Sequence, residues 1–215
     1  MGTYSAAGAA LLALAAASAA AIAAGPLRDG HEGAPPRFAE TLGHTLPPVG
    51  FVTFCGHNPA DCRATRGHAA ALMSMPAARW RQAVEVNRTV NASITPMTDQ
   101  ELYGQHEYWA YAADAGDCED YALLKKRMLE RLGFARSALL ITVVRDEKDE
   151  GHAVLMLRTT EGDFILDNRR DEIRRWSDLG YTYLKRQSEV NPREWVSLGG
   201  GHEGAEMVAG GTAAR

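Results

Sequence analysis

Apolar and polar positions change period along the chain, and the changes mark its elements. The run Phe51-Val52-Thr53-Phe54 is short, apolar and β-branched, and predicts a strand. From Met75 to Ile94 the period is helical: Trp80, Val84, Asn87, Val90, Asn91 and Ile94 recur at spacings of three and four. Pro76 suits the first turn of that helix and Pro96 stops it. Asn87 and Asn91 fall on its apolar side. Buried amides need partners, so both are expected to tie down a neighbouring loop. The clearest helix runs from Asp117 to Leu132, with Asp117 as N-cap and Asp120 three residues on, as in a capping box. Tyr121, Leu124, Met128 and Leu132 make its apolar stripe. Lys125, Lys126, Arg127 and Arg131 gather toward the end where the dipole favours cations, and Gly133 closes it.

The period then shortens. Leu139–Val144 is a continuous apolar run, Arg145–Gly151 a charged turn, and His152–Arg158 an alternating segment. Thr160–Asp163 turns the chain again before Phe164–Asp167, and Tyr181–Arg186 adds a further strand. A helix followed by an antiparallel meander is an α+β arrangement. It is expected over 51–198. Three flanking regions lack this periodicity. Gly8–Ala24 is almost wholly Ala with Leu11, Leu12, Leu14 and Ile22, and Ala21-Ile22-Ala23 has the small-x-small pattern of a cleavage site, so 1–24 reads as a signal peptide. Residues 25–50 are rich in Gly and Pro and read as a linker; 199–215 read as a disordered tail. Gly-His-Glu-Gly-Ala occurs at 30 and again at 201, both in low-complexity sequence, and reads as chance.

Composition narrows the function classes. The chain has 215 residues, 46% hydrophobic and 23% charged, with net charge −4. That is a folded globular composition, without the basic balance of a general nucleic-acid or anionic-lipid binder. No motif points to an organic cofactor. Three cysteines are too few for a disulfide-dense scaffold. Cys55 and Cys62 bracket a turn-rich segment and suit a small disulfide loop in an oxidising compartment; the rival is a zinc site with His57 and His68.

The third cysteine carries the chemistry. Cys118 falls in the first turn of the strongest helix, where unpaired N–H groups and the dipole favour thiolate over thiol. His152 opens one strand and Asp167 ends the next. An imidazole can hold the cysteine proton, and a carboxylate can fix the imidazole's tautomer. A tight hairpin closed at Glu161-Gly162 pairs Asp167 with Met156, so a triad needs a shifted register or a bulge. Asp117, Glu119 and Asp120 surround the thiol with like charge, which raises its pKa and opposes the helix. A hard cation such as Ca²⁺ cancels that charge, and closely spaced carboxylate oxygens suit it.

These residues carry a resemblance. Gly116-Asp117-Cys118-Glu119-Asp120-Tyr121-Ala122-Leu123-Leu124-Lys125 resembles the nucleophile motif of the bacterial transglutaminase-like cysteine proteinases. Gly151-His152-Ala153-Val154-Leu155 resembles the family's histidine strand, and Ile165-Leu166-Asp167-Asn168 its aspartate strand. The likeness extends over Trp80–Asn91, Tyr103-Gly104, Tyr183–Ser188, Asn191-Pro192 and Trp195-Val196. It implies a papain/transglutaminase-like fold, with a helical N-terminal part and the nucleophile at a helix N-terminus packed on an antiparallel sheet. It implies a protease with Cys118 as nucleophile, His152 as base and Asp167 as orienter, and calcium on Asp117, Glu119 and Asp120. Well-known relatives are periplasmic, calcium-dependent enzymes that cleave large surface adhesins, release biofilm cells and answer to an inner-membrane receptor. The implied location is periplasmic or secreted. Two other functions are compatible with the same residues: transglutaminase or amidase acyl transfer, and a non-catalytic calcium-responsive binding domain.

Overall fold

The computed structural model describes residues 1–2, 36–64 and 72–199. The signal peptide expected over 1–24, nearly all of the expected tail, both Gly-His-Glu-Gly-Ala copies and His68 lie outside the described residues. No helix among the described residues is long and apolar enough to cross a membrane.

Seven strands form one antiparallel sheet. In chain order its members are β1 (His44–Thr45), β4 (Leu139–Arg145), β5 (Gly151–Thr159), β6 (Gly162–Asp167), β7 (Arg170–Arg175), β8 (Thr182–Gln187) and β9 (Trp195–Ser197). Their spatial order is β1-β9-β8-β4-β5-β6-β7. The strand expected over 181–186 thus lies beside β4 and not beside β7. Strands β4 to β6 are buried on both faces, which is why they read as near-continuous apolar runs. Leu139, Ile141, Val143, Leu155 and Leu157 pack toward the helices. Leu140, Val144, Val154, Met156 and Ile165 pack on the other side against Ala39, Leu179, Tyr181 and Tyr183.

The helices are α1 (Val49–His57), α2 (Ala77–Ser93), α3 (Asp99–Tyr103) and α4 (Cys118–Arg131). Between them β2 (Thr95–Pro96) pairs in parallel with β3 (Ala115–Gly116). Three expectations need correction. The strand at 51–54 is helix: Phe51, Phe54 and Cys55 point into the core at helical spacing while Val52 stays exposed. The linker over 25–50 does not extend to its expected end, because Ala39 is buried, β1 pairs with β9 and α1 begins at Val49. The stripe Tyr121, Leu124, Met128, Leu132 is not the buried face of α4. Leu132 is exposed, and Cys118, Ala122, Leu123, Lys125, Lys126 and Leu129 are buried with Tyr121. A helix packed between α2 and the sheet hides more than one stripe.

Cys55 and Cys62 are joined in a disulfide, which removes the zinc alternative. Asn87 and Asn91 do tie down a loop. Asn87 Nδ2 donates to the carbonyls of Arg170 and Asp171, and Asn91 Nδ2 to those of Asp167 and Arg170. That loop is the β6–β7 turn, which carries Asp167.

Candidate active site

Cys118 opens α4 and is 5% exposed. Its position comes from both sides of the helix start. Gly116 packs so closely on Asp120 that a Cβ there would stand 2.6 Å from the carboxylate Oδ2. On the sheet side the backbone N–H of Ala153, next to His152, donates to Cys118 Sγ at 3.3 Å. The thiol also lies 3.1 Å from Glu119 Oε2, as donor to that carboxylate. Burial first, then the charges of Glu119 and Asp117, push the thiol pKa well above its ordinary value.

His152 and Asp167 meet across the β5–β6 hairpin. The register runs Thr159↔Gly162, Leu157↔Phe164, Leu155↔Leu166. Continued one step, it sets Asp167 opposite Val154, two residues from His152 on the same face and not opposite Met156. The two-residue turn makes the difference. Gly162 takes φ 129°, and Thr159 Oγ1 accepts from the Glu161 N–H and donates to the Gly162 carbonyl. The hairpin therefore turns at Thr160-Glu161, one residue earlier than the sequence reading, and diagonal neighbours on one face reach each other. His152 Nε2 lies 3.0 Å from Asp167 Oδ1. His152 Nδ1 is buried with no hydrogen-bond partner among the described residues.

Asp167 is richly supplied with donors. Oδ1 also accepts from Arg169 N at 3.0 Å, Oδ2 accepts from Tyr181 OH at 2.6 Å, and Arg170 Nε stands 3.8 Å away. Burial alone would raise its pKa. The bonds and charge of His152, with Tyr181 and Arg169 N–H, outweigh burial and hold it well below the usual carboxylate range. Sequence reading identified His152 and Asp167 but not Tyr181, since only the chain leading into β8, which returns to the centre of the sheet beside β4, brings that hydroxyl over.

The acidic residues at the start of α4 are arranged differently from the expected set. Asp117 is the N-cap, yet its side chain makes no cap bond; it accepts instead from Asp99 N at 3.4 Å. Asp120 does not close a capping box, because its Oδ1 accepts from Ala110 N at 2.8 Å. Asp99, Asp117 and Glu119 bring one carboxylate oxygen each to within 4.8 Å of one another, and Asp120 stands outside that group. Asp99 carried no sequence signal. It reaches Asp117 through the short β2–β3 pairing and the Met97 N–H bond to the Gly116 carbonyl.

These carboxylates fit a hard divalent cation. Asp99 Oδ1, Asp117 Oδ1 and Glu119 Oε1 are buried without hydrogen-bond partners among the described residues, as is Asp120 Oδ2. Burial raises Asp99 to about 6 despite the Tyr108 N–H that it accepts, and raises Asp120 to about 8. Asp117 is also raised, and Glu119 well above its ordinary value, by burial and then by Asp117. Buried carboxyl oxygens gathered within 4.8 Å of one another are a donor set that Ca²⁺ coordinates.

The family model of the bacterial transglutaminase-like cysteine proteinases matches residues 41–203. The chain belongs to this family. Three solved structures of LapG from Legionella pneumophila also match. The calcium-bound form is 26% identical with TM-score 0.45, over 50% of this chain and 64% of that one. The EGTA-treated form is 25% identical with TM-score 0.44, over 50% and 62%. A third is 25% identical with TM-score 0.44, over 50% and 64%. The chain thus spans less than two thirds of the LapG chains it matches. No curated protein matches it.

Proposed function

We propose that this chain is a cysteine peptidase in which Cys118, His152 and Asp167 form the triad. One observation carries the reading. The 3.0 Å bond from His152 Nε2 to Asp167 leaves Nδ1 without another partner, next to the residue whose N–H touches Cys118 Sγ. Asp167 fixes the tautomer, and Nδ1 takes the thiol proton. The thiolate adds to a peptide carbonyl, the imidazolium returns the proton to the leaving amine, and the same imidazole then activates water on the thioester. The Cys118 N–H, at the start of α4, faces the developing oxyanion.

Calcium is proposed at Asp99, Asp117 and Glu119. When bound it supplies countercharge beside the thiol. The buried Cys55–Cys62 disulfide supports an oxidising location, periplasmic or secreted. The family resemblance extends the proposal to a surface adhesin as substrate and an inner-membrane receptor as partner. Incubation with the adhesin of the same cell, with calcium and with chelator, tests that extension.

The test of the triad is the alkylation rate of Cys118 against pH, with calcium and with chelator, beside His152→Ala. A thiolate titrating well below about 8.5 in calcium, and losing that shift in His152→Ala, supports the peptidase. An ordinary thiol indifferent to both sinks it and favours a binding domain. A labelled amine offered with a glutamine substrate separates acyl transfer to amines from hydrolysis.

A further inference from the structure

Lys125 lies on α4 seven residues after Cys118 and is 1% exposed. Its neighbour Lys126 is also buried, but that ammonium bonds the Leu139 carbonyl and pairs with Glu130. Lys125 has no such account. Its Nζ has no hydrogen-bond partner among the described residues and stands 5.9 Å from the centre of the Tyr121 ring. A buried ammonium has three donors, and leaving them unused is costly.

The helix beside it holds two acceptors in the same condition. Asn87 Oδ1 and Asn91 Oδ1 are buried without hydrogen-bond partners among the described residues. They sit one turn apart on α2, which packs on α4. Their Nδ2 groups are fully engaged on the β6–β7 turn: the Arg170 and Asp171 carbonyls for Asn87, the Asp167 and Arg170 carbonyls and Asp171 Oδ1 for Asn91. Lys125 belongs to the same neighbourhood. Burial pulls its pKa down to about 7 against the charges of Asp167 and Asp171, and Tyr121, under its amine, bonds the Ile94 carbonyl at the end of α2.

We propose that Lys125 is a positioning residue: its ammonium donates through a buried water to Asn87 Oδ1 and Asn91 Oδ1, and so fixes the two amides that hold the Asp167 turn. The complementarity is chemical. An amide bonds those carbonyls only with its NH₂ toward them; a flipped amide sets oxygen against oxygen. A donor on the far side holds each amide in the bonding orientation. In its protonated form the same donor gives the Asp167–Asp171 turn a countercharge in a buried setting. For its catalytic consequence the inference rests on the peptidase reading above.

The test compares Lys125→Met, which keeps length and loses every donor, with Lys125→Gln, which keeps two donors without charge. Two quantities are read: amide hydrogen exchange over residues 168–171, and the alkylation rate of Cys118 at pH 7 in calcium. In Lys125→Met the turn amides are expected to exchange about 10-fold faster and Cys118 to react about 10-fold more slowly, the scale of a small misplacement at an active site. Exchange in α4, β4 and β5 stays at the wild-type level, and Lys125→Gln recovers most of both effects. Loss of protection spread over α4 and the sheet, with Met and Gln alike, overturns the proposal in favour of simple packing. If Lys125→Met does not fold, a crystal structure of the wild-type chain decides. Density joining Nζ to both Oδ1 atoms through water supports the network, and an Nζ bonded elsewhere overturns it. Exchange needs no substrate, so an unreactive Cys118 in the wild type counts against the peptidase and leaves the exchange result standing.

Discussion

Two sets of buried carboxylates belong to the candidate site and have opposite fates. Asp167 is 1% exposed, and Glu119 and Asp120 are 0% exposed. Burial pushes all of them the same way, toward the protonated form. Asp167 nevertheless lies well below the usual carboxylate range, because His152, Tyr181 and the Arg169 N–H all donate to it. Asp120 rises to about 8 although the Ala110 and Asp117 N–H groups donate to it, and Asp99 to about 6 although the Tyr108 N–H does; each keeps one oxygen without a partner among the described residues. The charge of His152 beside Asp167 sets the difference, since Asp117 accepts several bonds as well and is still raised. Asp167 is satisfied within the protein, whereas the acidic group at the start of α4 keeps oxygens without partners among the described residues, which the proposed cation would fill.

The largest effects break this contrast at its ends. Asp167→Asn is expected to lower kcat by the order of 10³-fold, since the imidazole loses its tautomer and orientation. It should also lower stability by about 3 kcal/mol, the scale of one partner lost from a buried pair, read as a shift in denaturant midpoint. Glu119→Gln should move stability in the opposite direction. In chelator it removes the cost of ionising a buried carboxyl and raises stability by about 1 kcal/mol in alkaline solution. In calcium the same substitution weakens cation binding at least ~10-fold by titration calorimetry. A loss of stability in chelator would mean that Glu119 is satisfied by the protein alone, and the comparison fails.

The pH dependence sharpens the contrast, because the two sets act in different windows. Asp99 and Asp120 have folded values of about 6 and about 8, above the unfolded value of 3.8. The native state therefore holds more protons between those values, and stability in chelator falls as pH rises from about 4 to about 8. Asp167 is depressed below its unfolded value. Its contribution is fully present above about 4 and is lost only as pH falls further. Melting in chelator should therefore decline on both sides of about pH 4, steeply below it in wild type and less so in Asp167→Asn. Saturating calcium competes with the protons and flattens the limb above pH 4. A chelator limb that is already flat would mean that the acidic group ionises without cost.

Legibility followed the range of the contacts. The α4 start, the β4 run and the β5–β6 hairpin were readable because caps, periods and turns are local signals, and they supplied Cys118, His152 and Asp167. The segment at 51–54 was ambiguous, since four apolar residues fit either period and only the helical placing of Phe51, Phe54 and Cys55 against the core resolves it. The hairpin register was readable to within one step of two residues, and that step is what separates an Asp167 beside Met156 from one that reaches His152. Asp99 and Tyr181 were not readable at all. One arrives through a two-residue parallel pairing and the other on the chain leading into a strand inserted beside β4, and neither pairing leaves a mark in local sequence.

The smallest expected effect tests whether Asp167 has donors to spare. Tyr181→Phe removes one hydroxyl and keeps the ring that packs edge-on against His152 at 5.8 Å. Oδ1 retains His152 and Arg169 N–H, while Oδ2 is left with Arg170 Nε at 3.8 Å. The lost bond is to a charged acceptor, so about 1–2 kcal/mol of stability should go with it. The carboxylate becomes easier to protonate, and the acid limb of the pH–rate profile moves upward by a fraction of a unit to about one unit. The kcat at neutral pH should fall only a few-fold, because the orientation of His152 depends on Oδ1. If Tyr181→Phe instead costs as much activity as Asp167→Asn, the hydroxyl is itself an orienting member of the site. Asp167 would then be held by a single indispensable donor, and its low pKa would reflect that one bond and not an abundance of them.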